Sequence, residues 1–317
     1  MKYFNQLMLA IFFMMSVNGL GAAELPIIDA HSQADQHIEF DEIIKVMDEA
    51  RVSRAILTLR GSRQPEELAA FASRHPDRII AAVRTKGYMS GGGKYFKQMF
   101  VKQMLMPQFR ALGEVLLWHE EKTAVTVIRG DGTMGPPPKV VFSPDHPRVQ
   151  GVLSAAIKKG WPFVAHIEFR NIPTVAEFNE FMNKFEIMLR RNPDHPFLLN
   201  NMGYLEANQV RRLIESHPNI YFIPSWSNPI AAKGKHGQRF VNMFKKNSLS
   251  LEWRDLIVRH PERFVLGLDN IMANQWGSFY VRQIALWRQA LNKLPAHVAH
   301  AVAHTNAERL WRLPPTR

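Results

Sequence analysis

The chain has 317 residues, of which 46% are hydrophobic and 21% are charged, and this balance excludes an intrinsically disordered protein. It contains no cysteine, so disulfide bonds and thiolate metal ligands are excluded as well. A formal net charge of +12 without any nucleic-acid-binding motif favours a small acidic molecule, and not nucleic acid, as the binding partner.

The N-terminal segment differs in character from the rest of the chain. Lys2 precedes an apolar stretch over residues 7–17, and small residues follow at 21–23. This layout is typical of a secretory signal peptide that is cleaved after the last small residue. The apolar stretch is shorter than the about 20 residues that span a bilayer, so we expect no stable membrane insertion after cleavage. We therefore predict a periplasmic or secreted protein with a signal peptide over residues 1–23 and one domain over residues 24–317.

After residue 24, short β-branched or apolar runs alternate with longer helical patterns, and the alternation repeats eight times. Most of the runs are continuously apolar, as expected of strands that are buried on both faces of a parallel sheet. An eightfold alternation of this kind predicts a single α/β domain of the (β/α)8 type, the TIM barrel. The predicted strands cover residues 26–31, 54–59, 79–84, 111–118, 162–169, 196–201, 220–225 and 263–269.

The clearest helical pattern covers residues 174–191, where apolar side chains recur at spacings of three and four. Pro173 and the capping hydroxyl of Thr174 precede it and predict where the helix begins. The aromatic and methionine stripe on this helix is expected to pack against the barrel. The other predicted helices cover residues 41–51, 64–75, 146–159, 205–217 and 279–294.

Two stretches break this rhythm. Residues 85–110 hold three consecutive glycines and then a helix rich in Phe and Met, while residues 119–145 hold glycines and three consecutive prolines. Long segments that follow barrel strands form the active face of this architecture. Both stretches are therefore predicted to be lids or substrate loops.

Polar side chains gather where the predicted strands end. Residues Asp29, His31 and Gln33 alternate along the first strand, so strand geometry predicts that they point to one side. The ends of parallel barrel strands converge at one mouth although they are far apart in sequence. The polar residues near the ends of the fourth, fifth, sixth and eighth strands are Glu114, His166, Asn201 and Asp269.

With these residues in order, the chain resembles the amidohydrolase-related metal-dependent hydrolases of the amidohydrolase 2 type. The resemblance covers essentially all of the chain after the signal peptide, and it rests on seven short motifs in sequence order, each of which is weak alone. It implies a TIM barrel with a metal centre at its mouth. The motifs are Ile-Asp-Ala-His-Ser-Gln at 28–33, Gly-Glu at 113–114, Ala-His at 165–166, Asn-Asn-Met-Gly at 200–203, Pro-Asn-Ile-Tyr at 218–221, Leu-Gly-Leu-Asp at 266–269 and Asn-Ala-Glu-Arg-Leu at 306–310.

The resemblance also implies which residues form the metal centre. The family has His-x-His at the end of the first strand, one His on each of the fifth and sixth strands, and an Asp on the eighth. His31, His166 and Asp269 match this pattern, whereas Gln33 and Asn201 stand where histidines are expected. The metal site is therefore partly degenerate. The implied ligand set, with the neighbouring carboxylate added, is His31, Gln33, Glu114, His166, Asn201 and Asp269.

These substitutions change the chemistry that the resemblance implies. An amide oxygen is a harder and weaker ligand than an imidazole nitrogen, so the site is expected to hold zinc or manganese less tightly than an ordinary zinc site does. The implied catalytic residues are Asp269, His166 and Glu114, with Asp269 accepting the proton of an activated water. The alternative is that the site holds no metal and the same residues form a hydrogen-bonded network.

A second set of residues is expected around the same mouth. Basic side chains bind carboxylate or phosphate groups, and aromatic side chains stack on rings, so this set would suit an acidic substrate. Ordinary surface charge and ordinary packing explain the same residues without any ligand. The candidate substrate-binding residues are Arg60, Arg84, Lys86, Trp118, His119, Trp226 and Lys235.

The sequence thus predicts a metal-dependent hydrolase that acts on an ester, lactone or amide bond of a small acidic molecule. The first alternative is a binding protein of the same fold that has lost its metal and its catalysis. The second alternative is a metal-dependent decarboxylase on the same scaffold, and a third is a basic scaffold that binds anionic surfaces. Substrate identity and oligomeric state have no readable signal in the sequence.

Overall fold

The computed structural model describes residues 25–85, 93–121, 127–128, 134–136, 139–232 and 240–316. The predicted signal peptide and the candidate residues Lys86 and Lys235 lie outside these ranges. No helix within the described ranges combines the length and the apolar character that a membrane crossing requires.

Strands and helices alternate along most of the described chain. The strands are β1 (Ile28–Ala34), β2 (Arg54–Leu59), β3 (Ile79–Val83), β4 (Phe109–Leu112), β5 (Val115–His119), β6 (Val127–Ile128), β7 (Met134–Gly135), β8 (Val140–Val141), β9 (Phe163–Ile167), β10 (Phe197–Leu199), β11 (Ile220–Phe222), β12 (Phe244–Lys245) and β13 (Ser248–Leu249). The helices are α1 (Phe40–Glu49), α2 (Pro65–Arg74), α3 (Gly93–Leu105), α4 (Pro147–Lys159), α5 (Val175–Arg191), α6 (Ala207–Ser216), α7 (Pro229–Ala232), α8 (Leu251–Arg259), α9 (Ser278–Leu291), α10 (Ala296–His300) and α11 (Asn306–Trp311).

The main strands form two arrays, and the strands within each array are parallel. The chain passes directly from the last strand of the first array into a strand of the second. The first array has the order β1-β2-β3-β4 and the second has the order β11-β10-β9-β5. Strands β4 and β5 follow each other directly, separated only by Gly113 and Glu114. A Cβ at Gly113 would lie 2.8 Å from the carbonyl oxygen of Val83, so this junction fits only a glycine without movement of β3.

An extended segment over residues 264–270 closes the two arrays into a ring. On one side the Val265 amide donates to the carbonyl of Phe222 at 2.9 Å. On the other side the Ala30 amide donates to the carbonyl of Leu266 at 2.9 Å, and the Asp269 amide donates to the carbonyl of His31. This segment therefore occupies the eighth barrel position between β11 and β1.

The ring has two apolar layers. A large buried cluster lies between the outer faces of the strands and the surrounding helices. A smaller cluster fills the barrel interior with side chains such as Ile28, Ile56 and Val164, and it continues into Leu310 and Trp311 at the C-terminal end of the chain. Helix α11 and the residues after it thus plug the amino ends of the strands, which leaves the carboxyl ends for a polar site.

The structure confirms most of the predicted elements and corrects two of them. The fourth predicted strand is split at Gly113-Glu114 into β4 and β5. Residues 263–269 do not form a regular strand, because Asp269 has a φ of 53° and only Phe264 makes a strand bridge, with Phe222. The predicted helix after the three glycines is present as α3, whereas α7, α8, α10 and α11 were not predicted.

Candidate active site

A group of buried polar side chains lies at the carboxyl ends of the barrel strands. His31 is 3% exposed, Glu114 is 1% exposed and Asp269 is 2% exposed. They come from β1, from the junction of β4 and β5, and from the closing segment. One ligand atom from each of these three residues lies within 4.8 Å of the others. The barrel therefore unites three residues that are far apart in sequence.

Asp29 lies on the outer side of β1, toward Tyr280 of α9, because the strand is irregular between Asp29 and Ser32. The prediction that Asp29 points to the same side as His31 and Gln33 is therefore wrong. The Asp29 carboxylate accepts hydrogen bonds from the amides of His31 at 3.2 Å and Leu268 at 3.0 Å, and from the hydroxyls of Ser32 at 2.6 Å and Tyr280 at 3.1 Å. Burial raises the pKa of Asp29, and these hydrogen bonds oppose that rise. Asp29 therefore joins β1 to the closing segment and holds His31 opposite Asp269.

Two side-chain amides bridge the two central carboxylates. The Nε2 group of Gln33 donates to Glu114 Oε1 at 3.1 Å and to Asp269 Oδ1 at 2.8 Å. The Nδ2 group of Asn200 donates to Glu114 Oε2 at 2.9 Å and to Asp269 Oδ2 at 3.4 Å. Each amide thus supplies positive hydrogen-bond donors between two buried negative charges, which reduces the cost of burying them.

His31 faces the same carboxylates with its outer ring nitrogen. Its Nε2 lies 3.3 Å from Asp269 Oδ1 and 3.8 Å from Glu114 Oε2, yet it makes no hydrogen bond to any residue in the described part of the chain. Burial lowers the pKa of His31, but Asp269 and Glu114 outweigh burial and raise the pKa to about 10. The buried nitrogen is therefore directed at strong negative charge without a hydrogen-bond partner.

His166, on β9, links this group to a further carboxylate, Glu168, which directly follows that strand. Its Nδ1 lies 2.9 Å from Glu114 Oε2, and its Nε2 lies 3.1 Å from Glu168 Oε1. Burial lowers the pKa of His166, but Glu114 and Glu168 outweigh that effect and the pKa is raised. Glu168 is itself oriented by the Glu120 amide at 3.0 Å and by the Asn171 side chain at 2.8 Å.

His119 lies beside His166 and completes a second cluster. The two rings are 5.3 Å apart between centroids. Ligand atoms of His119, His166 and Glu168 also lie within 4.8 Å of one another. The site therefore consists of two adjoining groups of buried ligating side chains, which the contact between Glu114 and His166 connects.

Asn201 occupies a different position from its neighbour Asn200. It adopts a φ of 53°, and its backbone amide donates to Asn200 Oδ1 at 3.0 Å. Its buried Oδ1 has no hydrogen-bond partner within the described ranges. Because residues 201–203 all have positive φ, the strand alternation stops here, and Asn200 is the residue that contacts Glu114 and Asp269. Sequence reasoning missed this role, and it also missed Glu168, although Glu168 follows His166 at strand spacing.

The candidate substrate-binding residues divide into two groups. The guanidinium of Arg60 makes no hydrogen bond or ion pair with any described residue. Burial lowers its pKa, while Asp269, Glu114 and Asp35 favour its charged form. Trp226 donates from Nε1 to the carbonyl of Asp269 at 3.0 Å and stacks on Phe240 at 5.3 Å. Both residues therefore border the polar group.

Trp118 and Arg84 are positioned differently. Trp118 is buried edge-on against Phe181 of α5 at 5.3 Å, and its Nε1 donates to Glu120 at 2.9 Å. Arg84 donates from Nη1 to the carbonyl of Gly61 at 2.8 Å. Trp118 thus packs into the helical layer, and Arg84 braces the loop that follows β2.

The residues present fit a divalent ion at His31, Glu114 and Asp269. A buried imidazole nitrogen that makes no hydrogen bond in the described structure, together with two carboxylates, is an ordinary donor set for such an ion. The amide groups of Gln33 and Asn200 present nitrogen and not oxygen to the carboxylates, so these two residues are hydrogen-bond donors here.

No protein-family model and no curated protein sequence matches this chain. Solved structures do match. An uncharacterized TIM-barrel protein from Bordetella bronchiseptica is 13% identical with a TM-score of 0.59, covering 91% of this chain and 99% of its own. The 5-carboxyvanillate decarboxylase LigW from Sphingomonas paucimobilis is 12% identical with a TM-score of 0.52, covering 92% and 100%.

An amidohydrolase from Burkholderia multivorans with bound zinc is 13% identical with a TM-score of 0.52, and it covers 91% of this chain and 99% of its own. At these identities the likeness is one of fold. It agrees with the parallel strands, with the closed ring and with the resemblance that the strand-end motifs carry. The chain therefore has the TIM-barrel fold of structures that include metal-dependent amidohydrolase-type proteins.

Proposed function

We propose that this protein is a metal-dependent hydrolase that cleaves an ester, lactone or amide bond in a small acidic molecule. The observation that carries the proposal is the buried Nε2 of His31, which faces Asp269 and Glu114 and makes no hydrogen bond in the described structure. A buried nitrogen without a partner is costly unless a ligand satisfies it. A divalent ion is such a ligand.

His31, Glu114 and Asp269 would hold the ion, while Gln33 keeps its amide nitrogen on the two carboxylates. When bound, a divalent ion supplies Lewis acidity toward a substrate carbonyl and toward water. Zinc and manganese both suit a set of one nitrogen and several oxygens, with manganese favoured by the larger share of hard ligands.

The protein's own residues handle the proton. Asp269 would accept a proton from the attacking water as the water oxygen bonds to the substrate carbonyl carbon. It would then return that proton to the departing alcohol or amine as the ester or amide bond breaks. The Gln33 and Asn200 amides hold the Asp269 carboxylate in place through their bonds to its two oxygens.

His166 would act on Glu114. Its two ring nitrogens lie against Glu114 and Glu168, and its pKa is raised by both carboxylates although burial opposes them. Through its contact with Glu114 at 2.9 Å, His166 would orient the Glu114 carboxylate toward the ion.

Arg60 supports the acidic character of the substrate. Its guanidinium lies near the carboxylates, is partly buried and has no protein partner in the described ranges. Guanidinium groups bind carboxylates bidentately, and they do so more strongly away from bulk water. Trp226, which is anchored to the backbone of Asp269, would form a flat wall beside the bound molecule.

A specific observation favours the alternative of a metal-free binding protein. The Gln33 and Asn200 amides already satisfy Glu114 and Asp269, and His31 and His166 contribute positive charge when protonated. Such a network is stable without an ion.

The third possibility, decarboxylation of an acidic substrate, draws on the structural likeness to the decarboxylase LigW. Export to the periplasm or the medium, through cleavage after residue 23, belongs to the same proposal.

An Asp269→Asn variant tests the catalytic proposal. The protein is screened against carboxylate-bearing esters, lactones, amides and benzoic acids, with acid release and carbon dioxide release measured separately. We expect acid release to fall at least about 100-fold in Asp269→Asn, since a positioned general base contributes that much. An Asp145→Asn variant, at an exposed site, is the matched control. Undiminished hydrolysis in Asp269→Asn would refute this mechanism, and carbon dioxide as the product would favour the decarboxylase.

A further inference from the structure

A cavity lies at the opposite end of the barrel from the polar group. Its volume is about 440 Å³, which is within the range of small-molecule sites. It lies between the C-terminal end of α4, the turns that precede β10 and β11, and helix α11. Since those turns come before their strands, the cavity is on the amino-terminal face of the barrel. It is therefore separate from the proposed active site.

The cavity wall carries more positive than negative charge. Arg309 and Arg312 line it, and Asp194 is the carboxylate residue among its lining residues. The Arg309 guanidinium lies 5.4 Å from the Tyr221 ring centroid and donates to the carbonyl of Glu262 at 3.1 Å, which fixes its plane. The guanidinium of Arg312 makes no hydrogen bond or ion pair with any described residue. Arg309 is thus held in place. The N–H donors of the Arg312 guanidinium have no partner among the described residues and can bind a ligand.

A buried histidine in the same wall lacks a hydrogen-bond partner. His195 is 9% exposed, and its Nε2 is buried without a partner among the described residues. Its ring packs edge-on against Phe197 at 5.3 Å, so its orientation is fixed. Burial lowers the pKa of His195 to about 4, which keeps the ring neutral at pH 7. A neutral imidazole nitrogen at a cavity wall can donate or accept one hydrogen bond.

The rest of the wall carries apolar side chains among polar groups. Ile157 of α4 and Leu310 of α11 line the cavity, together with the prolines at positions 193, 196 and 218. Polar and apolar surface contribute similar shares of the lining, which suits a molecule with a polar head group and an apolar body. Inorganic anions alone would leave the apolar share uncovered.

We propose that this cavity is a second binding site, which takes a small organic anion with a carboxylate or phosphate group on an apolar body. Arg309 and Arg312 bind the anionic group, Nε2 of His195 makes one hydrogen bond, and Ile157 and Leu310 cover the apolar body. Such a ligand joins α11 to α4 and to the strand ends. It therefore stabilises the end of the barrel that α11 closes.

Benzoate and phenyl phosphate are the probes for the two head groups, and the full chain is titrated with each by calorimetry. All titrations are repeated in an Arg60→Gln background, because Arg60 offers an anion site at the other face. We expect saturable binding that persists in that background and a raised melting temperature. Binding of one probe alone identifies the head group.

An Arg309→Gln/Arg312→Gln variant is the decisive comparison. We expect it to weaken binding at least about tenfold, since two charge-assisted hydrogen bonds are lost. An Arg254→Gln variant, exposed on α8, is the matched control and should bind as the wild type does. In the wild type, the ¹⁵N resonance of His195 Nε2 should also shift on binding. Failure of both probes to bind, or equal binding by the double variant with no shift at His195, would overturn the proposal.

Discussion

The Nε2 group of Gln33 lies 2.8 Å from Oδ1 of Asp269 and donates a hydrogen bond to it. At this position the resemblance to metal-dependent hydrolases expects a metal-ligating imidazole. Rotation of a side-chain amide can present either its nitrogen or its oxygen to a neighbouring group. Here the Gln33 nitrogen faces Asp269 and donates the hydrogen bond. The Gln33 amide group therefore competes with a cation for the Asp269 carboxylate oxygen. An ion in this site should therefore be bound less tightly than in a site that has an imidazole at this position.

The first prediction is that Gln33→His tightens zinc binding. The new imidazole would add a nitrogen ligand and remove the amide donor from both carboxylates. We expect zinc affinity to rise about tenfold or more, because nitrogen suits zinc better than an amide does. Competition with a fluorescent chelator measures the affinity. A Gln98→His variant, exposed on α3, controls for an added surface histidine, and equal zinc affinity in both variants would count against the assigned role of Gln33.

The second prediction concerns Arg60. If its guanidinium, which has no partner among the described residues, binds the substrate carboxylate, Arg60→Gln should raise KM for an acidic ester about tenfold or more. It should leave KM for the matching neutral ester nearly unchanged, since the neutral ester lacks the group that Arg60 binds. Steady-state kinetics on the paired esters measure the difference. A proportional loss on both esters would show that Arg60 acts on folding or on the carboxylates instead.

The third prediction tests the closing segment. A Cβ at Gly267 would lie 2.8 Å from Ile223 Cγ2 and 3.0 Å from the His31 amide nitrogen. Gly267→Ala should therefore destabilise the fold by about 1–3 kcal/mol, because the barrel must move to accept the methyl group. Gly151, which is exposed within α4 and has nothing within 4 Å of its added Cβ, is the control. Gly151→Ala should stabilise by about 0.5–1 kcal/mol. Denaturant unfolding measures both changes, and a neutral Gly267→Ala would contradict the closure.

The fourth prediction concerns pH. Burial lowers the pKa of His195 from 6.5 to about 4 in the folded chain. Between these values the unfolded chain binds the proton and the folded chain does not, so this residue's contribution to stability is full above pH 6.5 and is lost as the pH falls toward 4. His195→Phe keeps a ring against Phe197 and removes the titration. Its unfolding free energy should fall less steeply than that of the wild type between pH 6.5 and 4, and parallel pH profiles would contradict the burial of His195.

Much of the barrel follows from local sequence pattern. The apolar runs at β2 and β3 and the capping box of Thr174 with Glu177 at the start of α5 are local signals, and the structure confirms all three elements. His31 and Gln33 share a side of β1 because strand side chains alternate. Their meeting with Glu114 and Asp269 follows from closing the barrel.

Other features depend on conformations that the pattern does not contain. Left-handed backbone at Asn201 and Met202 ends the alternation early, so Asn200 faces the carboxylates while the motif pointed to Asn201. The left-handed Asp269 similarly interrupts the predicted eighth strand. The sequence places Trp118 at a strand end, but it does not predict that the Trp118 ring packs toward α5, against Phe181. Tertiary packing determines these backbone conformations and side-chain orientations, and a local sequence pattern does not specify them.

The most direct test of the central claim is the metal content of the protein, purified without chelators or nickel affinity and measured by elemental mass spectrometry. It is paired with thermal melts in zinc, manganese and EDTA. We predict about one divalent ion per chain at the His31 site and a melting temperature that EDTA lowers and added metal restores. A protein that contains no metal, and whose melting temperature responds to none of these additions, would contradict the hydrolase proposal and favour the metal-free network around Glu114.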